Sequence, residues 1–313
     1  MALALEQRAT LGEGLGWHAA SARWWWTDIE AAAVHAWAPG STQVHTYRLP
    51  DRAGSLVHCR SGRILFGLAK SLCFGGPRFP AASGAPHQLA VQPVAAVDAI
   101  EPRTRVNDGR TDRRGFYVFG TMNEAEEKRP IGSFFQYSTQ YGLRRLALPA
   151  VAIANSICFS VDGKTMYFTD TLTRRILQCD YDAETAEVGA PRLFAETDLD
   201  HAYPDGSVID RDGCLWNAQW GAGRVVRYGP SGRMLSVLAL PVSQPTCPAF
   251  GGPGMDQLMV TSARAQLRRE QLARQPLAGS LFSVTTEPGL GLADTLFDDS
   301  QFSPPPKTNK RPA

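Results

Sequence analysis

The sequence lacks the features that mark several large classes of protein. Its apolar runs are short, and none approaches the roughly 20 residues that a helix needs to span a bilayer. The N-terminal segment MALALEQRAT has no basic region followed by a long apolar stretch, so we predict no signal peptide. No G-x-S-x-G element, P-loop or dinucleotide-binding glycine fingerprint occurs, so neither a serine hydrolase nor a nucleotide-dependent enzyme is indicated.

The chain also lacks an excess of charge of either sign. Lys and Arg number 32 and Asp and Glu number 30 among 313 residues, which argues against a nucleic-acid or membrane partner. No C-x-x-C pair occurs among the cysteines, which are Cys59, Cys73, Cys158, Cys179, Cys214 and Cys247. We interpret them as reduced core residues and predict a cytoplasmic protein, with a disulfide framework as the alternative.

Helical patterns are scarce, whereas turn residues are abundant. The sequence has 29 Gly and 22 Pro, which suits a chain of strands and turns better than a helical bundle. The one clear helix candidate is the amphipathic stretch 262–277. The Pro- and Lys-rich stretch 303–313 predicts a disordered tail.

A pattern of a tight turn followed by an apolar run recurs six times. Aligned on a small residue, the repeats are separated by 40, 53, 49, 49 and 43 positions, near the period of β-propeller blades. The aligned residues are Thr27, Gly67, Gly120, Thr169, Ala218 and Thr261. The stretches between them each read as two strands around a polar turn, so each repeat holds four strands. We therefore predict an all-β fold, a six-bladed β-propeller of four-stranded blades, formed by residues 1–302 as one domain.

The first strand of each propeller blade lines the central axis, and here each of these strands begins with a polar residue. Glu13 and Asn155 each lie 14 residues before the aligned threonine of their repeat. The full set is Glu13, Ser55, Asn107, Asn155, Asp205 and Thr246. Rotational repetition would gather their oxygen atoms at one end of the axis. Oxygen-only ligation favours Ca²⁺, Mn²⁺ or Mg²⁺, and Zn²⁺ and Fe²⁺ stay open because water can complete the shell.

Five segments resemble the SMP-30/gluconolactonase family, also called regucalcin-like, over about residues 10 to 290. They are LGEGLGWHAASARWWWTDI, TRVNDGRTDRRGFYVFGTMNE, NSICFSVDGKTMYFTDT, PDGSVIDRDGCLWNAQWGAGRVVRY and SARAQLRREQLARQPLAGSLFSV. The resemblance implies a six-bladed propeller that hydrolyses sugar lactones with one divalent metal in its central channel.

The resemblance also implies roles for individual residues. Matched by position, the metal ligands are Glu13, Asn155 and Asp205, and the substrate contacts are Arg105 and Asn107. A further acidic substrate contact of the family follows the G-T-M element. By strict count it falls on Ala125, and the neighbouring Glu124 is our substrate-binding candidate.

The leading functional hypothesis is therefore metal-dependent hydrolysis of a sugar lactone to the aldonic acid. Asp205 is the candidate general base, and Arg105 and Asn107 would orient the lactone. The cofactor expected first is Ca²⁺ or Zn²⁺, with Mn²⁺, Mg²⁺ or Fe²⁺ as alternatives. Two other functions remain open: a non-catalytic metal-binding protein that uses the same pocket, and a related propeller that hydrolyses phosphotriesters or other esters.

Overall fold

The fold is a ring of antiparallel sheets, seen in a computed structural model that describes residues 1–77 and 86–302. The predicted tail at 303–313 lies outside the described residues. Within the described chain the strands form six sheets, five of four strands and one of five. The predicted six-bladed propeller with four-stranded blades is confirmed, and the fifth strand of one blade is an addition.

Each blade is a meander in which consecutive strands pair, and its first strand lies innermost. Blade 1 consists of β2 (Gly12–His18), β3 (Arg23–Asp28), β4 (Ala33–Trp37) and β5 (Val44–Arg48), with the short parallel strand β9 (His87–Gln88) at its edge. Blade 2 consists of β6 (Ala53–His58), β7 (Ile64–Leu68), β8 (Ser71–Gly75) and β10 (Val91–Ala96). Blade 3 consists of β11 (Thr104–Thr111), β12 (Tyr117–Asn123), β13 (Phe134–Ser138) and β14 (Gly142–Arg145).

The other three blades repeat this order. Blade 4 consists of β15 (Ala154–Phe159), β16 (Thr165–Asp170), β17 (Arg175–Asp180) and β18 (Arg192–Glu196). Blade 5 consists of β19 (Tyr203–Ile209), β20 (Leu215–Trp220), β21 (Arg224–Tyr228) and β22 (Met234–Ala239). Blade 6 consists of β23 (Pro245–Gly251), β24 (Gln257–Ser262), β25 (Leu281–Thr285) and the N-terminal strand β1 (Ala2–Leu5).

The ring is closed by apolar packing between neighbouring blades. The inner strands contact each other in order around the axis, and β2 of the first blade contacts β23 of the last. The run Trp24–Trp26 shows how one strand supplies two cores, because successive side chains of a strand point to opposite faces. Trp25 packs between blades 1 and 2, whereas Trp24 and Trp26 pack between blades 6 and 1.

The six aligned small residues all lie on the second strand of a blade, as the repeat register predicts. The predicted helix at 262–277 is only partly present, because β24 continues to Ser262 and α1 spans Arg269–Arg274. No helix among the described residues has the length and apolarity to cross a membrane. All six cysteines are buried free thiols.

Each inner strand has a shift of pairing register near its start. The shifts fall between Glu13/Gly16, Ala53/Ser55, Val106/Asp108, Asn155/Cys158, Pro204/Ser207 and Pro245/Pro248. Bulges of this kind bend a strand and re-aim its side chains. Gly14 has a φ of 57°, and a β-carbon on it would lie 3.1 Å from the Cα of Ser55. Both the conformation and the close approach favour glycine where the chain leaves Glu13.

The chain after β25 closes the axial channel at the end where the inner strands finish. The amide of Arg211 in blade 5 donates to Leu290 O, and the amide of Phe297 donates to His58 O in blade 2. Blades 5 and 2 are opposite in a ring of six, so the segment 290–302 crosses the axis. We call this the closed end, and the end where the inner strands begin the mouth.

Candidate active site

Two buried carboxyl groups, from blades 1 and 5 on either side of blade 6, meet at the mouth of the channel. Glu13 lies at the start of β2 and Asp205 near the start of β19, and each is only 6% exposed. They are close enough to share a hydrogen bond. Burial is the largest cause that raises the pKa of both groups well above the usual range, and the charge of Asp205 further raises that of Glu13. Two facing carboxyls in a dry site attract a cation.

A third carboxyl group, Asp108, belongs to the same group of charges. It lies in β11 and is 8% exposed, and its charge raises the pKa of both Glu13 and Asp205. One of its oxygens accepts a hydrogen bond from the amide of Ile157 at 3.0 Å. The sequence reasoning missed this residue because Asn107-Asp108-Gly109 reads as a turn. The register shift next to Asn107, which the sequence pattern does not reveal, places Asp108 in the channel.

Asn155 is held so that its amide oxygen is available to the channel. Its Nδ2 donates to the hydroxyl of Thr171 at 2.9 Å, and that hydroxyl donates to Pro204 O at 3.0 Å. Because the side-chain amino group of Asn155 donates this bond, the orientation of the amide is fixed and its Oδ1 is the acceptor. This Oδ1 receives a hydrogen bond from Asn107 at 3.1 Å. Asn155 is therefore linked to the peptide that immediately precedes Asp205.

Arg105 and Asn107 form the next part of the same network. Arg105 is 4% exposed, and its Nη1 donates to Asn107 Oδ1 at 2.8 Å and to Val106 O at 2.9 Å. Asn107 extends the network through its Nδ2, which donates to Asn155 Oδ1 and to Ala154 O. The network runs from blade 3 to blade 5 and fixes the side chains that surround the two carboxyls.

Glu124 lies at the outer edge of the mouth, between two arginines. Arg52 donates to both carboxylate oxygens, at 2.6 and 3.0 Å, and Arg105 Nε lies 3.5 Å from Oε1. Both Arg52 and Glu124 are about one-third exposed, so solvent reaches the pair. Ala125 has no polar side chain, and its amide donates to Asn123 Oδ1 at 2.9 Å. Of the two neighbouring positions, only Glu124 presents an acidic group toward Arg105.

The sequence-predicted site residues are thus all found at the mouth. Direct contacts join Glu13 to Asp205, Asn107 to Asn155, and Arg105 to Glu124. Within the described ranges no three histidine, cysteine, aspartate or glutamate side chains are grouped closely enough to hold a metal by themselves. The predicted ligand set differs from such a group because it includes the amide oxygen of Asn155. The ligand and substrate roles of these residues remain predictions.

The fold and this geometry define a class of protein: a six-bladed β-propeller with buried carboxyls and an oriented amide at one end of its axial channel. Residues 11–264 match the family model described as the SMP-30/Gluconolactonase/LRE-like region, and the chain belongs to this family.

Several characterised proteins are similar over nearly their whole length. The L-arabinolactonase of Azospirillum brasilense is 41% identical over 299 residues, which cover 94% of each chain. The regucalcin of Gallus gallus is 34% identical, with 91% of this chain and 93% of the relative covered. The crystal structure of a calcium-binding protein, regucalcin, from Agrobacterium tumefaciens is 31% identical with a TM-score of 0.83, and covers 94% of this chain and 96% of that one.

Proposed function

We propose that this protein hydrolyses a sugar lactone to the corresponding aldonic acid and that the reaction depends on one divalent cation. The observation that carries the proposal is the meeting of the Glu13 and Asp205 carboxyls in a buried site beside the amide of Asn155. The family and the similarity to an L-arabinolactonase support the lactone as substrate. They also make an arabinonolactone the first compound to test.

The residues at the mouth fit a hard divalent cation. Glu13, Asn155 and Asp205 would hold it through oxygen atoms, which suits Ca²⁺ and is also compatible with Zn²⁺, Mn²⁺, Mg²⁺ or Fe²⁺. Burial and mutual repulsion raise the pKa of both carboxyls, and a bound cation would offset both effects. A cation at this position would supply Lewis acidity to a lactone carbonyl oxygen.

The side chains around the carboxyls would orient the substrate. Arg105 is a fixed cationic donor, because Asn107 and Val106 O hold its Nη1, and its Nε faces the edge of the mouth where Glu124 lies. Such a donor would bind lactone hydroxyls or the ring oxygen in one orientation. Asn107 would keep this arginine aligned and would itself border the substrate.

Asp205 would act as the general base. It would take a proton from the water whose oxygen attacks the carbonyl carbon. The bond between the carbonyl carbon and the ring oxygen then breaks, and the ring oxygen accepts a proton to become a hydroxyl group. The new carboxylic acid ionises near neutral pH, so turnover releases one proton to the solution. The buried position of Asp205 keeps bulk water away from this exchange.

The proposal is tested with a panel of aldonolactones in a pH-drop assay. The protein is first treated with chelator, and each divalent cation is then added back separately. We expect turnover to be lost on chelation and restored by at least one cation, and Asp205→Ala to lose at least about 100-fold in rate while it stays folded. Near wild-type activity of Asp205→Ala would contradict the assigned role.

The same panel separates the other two functions. Cation binding without turnover of any lactone would favour a non-catalytic metal-binding protein. Turnover of an organophosphate far above that of every lactone would favour the phosphotriesterase alternative.

We also propose that residues 1–302 form one domain in the cytoplasm. The pairing of β1 with β25 supports the first part, because it joins the two ends of this range in one blade. The buried free thiols support the second, since such thiols are typical of reducing compartments.

A further inference from the structure

Two aspartates occupy matching places in the two blades that carry Glu13 and Asn155. Asp28 ends β3 and pairs with Gly12, and Asp170 ends β16 and pairs with Ala154. In each blade the aspartate therefore lies opposite the residue that immediately precedes the predicted cation ligand. Asp28 is 6% exposed.

The two carboxylates make the same pair of hydrogen bonds. Asp28 Oδ2 accepts from the amide of Thr10 at 2.9 Å and Oδ1 from that of Leu11 at 3.1 Å. Asp170 Oδ2 accepts from the amide of Ala152 at 2.9 Å and Oδ1 from that of Ile153 at 3.2 Å. The amides in both cases lie three and two positions before the predicted ligand. Each carboxylate thus holds the peptide that leads into a ligand.

Blades 5 and 6 lack this arrangement. The equivalent positions, opposite Pro204 and Pro245, are Gln219 and Ser262. Gln219 hydrogen-bonds to Tyr228 and Arg224 instead, and Ser262 donates to Ser280 O. A propeller blade can therefore be completed without a carboxylate at this position. Blade 5 presents the third predicted ligand, Asp205, without one, so the arrangement belongs to Glu13 and Asn155 and not to every predicted ligand.

All six inner strands have a register shift, but only in these two does the residue after the predicted ligand position have a positive φ. The residues that follow Glu13 and Asn155 are Gly14 and Ser156, with φ values of 57° and 61°. The regular pairing with the second strand is interrupted there, so each ligand is held by paired backbone on its upstream side only. Two hydrogen bonds to an ionised carboxylate strengthen that side, because charge-assisted bonds are about twice as strong as neutral ones.

From these contacts we propose that Asp28 and Asp170 are positioning residues of the cation site. They fix the backbone that presents Glu13 and Asn155, and so set the affinity for the divalent cation without touching it. This inference rests on the proposed function, because it requires that these two residues bind a cation.

The test is calorimetric titration of the metal-free protein in the absence of lactone, carried out separately with Ca²⁺, Zn²⁺, Mn²⁺, Mg²⁺ and Fe²⁺. Asp28→Asn and Asp170→Asn each replace one acceptor oxygen with an amino group that faces a peptide N–H. We expect each to raise the Kd of the cation that the wild type binds by about 10- to 100-fold, the range seen when groups that orient metal ligands are lost. Saturating cation should restore kcat, which a general loss of folding would not allow.

Asp112→Asn is the matched control. Asp112 is also buried, and one of its oxygens accepts from the amides of Arg114 and Phe116, both at 2.9 Å, in the turn after β11 at the closed end. It should lower the melting temperature and leave the Kd within about twofold. If Asp28→Asn does not fold, the test uses Asp170, which is less buried. Asp170→Asn is then compared with Asp170→Ser, which keeps one acceptor oxygen.

The possible results separate the two proposals. A folded wild-type protein that binds none of these five cations overturns the proposed site, and the positioning role with it. A wild type that binds, with Asp28 and Asp170 variants within about twofold of its Kd, overturns the positioning role alone. An equal loss of affinity in Asp112→Asn also overturns it.

Discussion

The two ends of the axial channel differ in how their charged side chains are paired. At the mouth, Glu13, Asp108 and Asp205 are buried together, and burial raises the pKa of all three. At the closed end, Arg110 lies 2.7 Å from Asp294 on the crossing segment, so a cation and an anion of the chain satisfy each other. A cavity of about 40 Å³ lies between, lined by residues of both ends.

The electrostatically unfavourable arrangement of this protein lies at the mouth and not at the closed end. At the closed end the largely buried charge of Arg110 is paired within the chain, so this end needs no ligand to complete that pair. The mouth is unfavourable for the isolated chain, since neighbouring buried carboxyls repel one another. Such local cost is typical of a site that a ligand is meant to complete.

The largest effect is expected for Glu13→Gln at the mouth. Loss of one of the two carboxylates proposed as ligands should lower cation affinity and lactone turnover by at least about 100-fold. The metal-free variant should melt at a temperature equal to or above that of the wild type, because one repulsive charge is removed. Thermal melting with and without chelator measures this, and a much lower melting temperature of the metal-free variant would show that Glu13 is structural instead.

At the closed end we expect Asp294→Asn to lower stability and to leave turnover almost unchanged, which is the reverse of the result expected for Glu13→Gln. This change leaves the guanidinium of Arg110, which is 13% exposed, without its carboxylate, and should lower the free energy of unfolding by about 2 kcal/mol. Turnover per folded molecule should stay within about twofold, since the residue is at the far end of the channel. Urea denaturation gives the stability. Asp200→Asn, in an exposed pair with Arg174, serves as the control and should change it by less than about 0.5 kcal/mol.

Acid should weaken the protein partly through His58, which lines the cavity. Burial, and then the neighbouring His18, lower the pKa of His58 to about 3, and its Nε2 has no hydrogen-bond partner within the described chain. The unfolded chain binds a proton near pH 6.5, so the stability due to neutral His58 is present above that pH and is lost as pH falls. Between pH 7 and 5 the loss should be at most about 2 kcal/mol. His58→Gln should flatten this slope in denaturation curves, and exposed His201→Gln should leave it unchanged.

The smallest effect is expected from Arg52→Gln. Without Arg52, Glu124 is free to pair fully with Arg105, which then binds the lactone less readily. Because the Arg52–Glu124 pair is about one-third exposed and screened by solvent, KM should rise by less than about tenfold with kcat unchanged. Steady-state kinetics on the best lactone of the panel would show this, and a fall in kcat alone would contradict it.

The sequence predicted those features that repeat along the chain. Aligned small residues placed Glu13 and Asp205 in equivalent positions, and the two carboxyls do lie next to each other at the mouth. Asp108 was missed because it lies next to a register shift, where the simple alternation of a strand does not apply. Arg52 was missed because it lies in a connection between blades, outside the repeated pattern.

Non-repeating segments were predicted least well. The crossing segment 290–302 has no counterpart elsewhere in the chain, so the sequence repeat does not predict it. Its position depends on long-range contacts such as Arg110 with Asp294 and the amide of Phe297 with His58 O. The helix α1 is shorter than its amphipathic pattern suggested, because pairing within blade 6 extends β24 to Ser262.

The strand β1 has a consequence for biosynthesis. Ala2–Leu5 is synthesised long before its partner strand Leu281–Thr285. At roughly 5–20 residues per second, the apolar N-terminus waits about 14–55 s before its partner strand exists. Blade 6 is therefore completed only after Leu281–Thr285 has been synthesised, and until then Ala2–Leu5 is exposed to chaperones, proteases and other nascent chains.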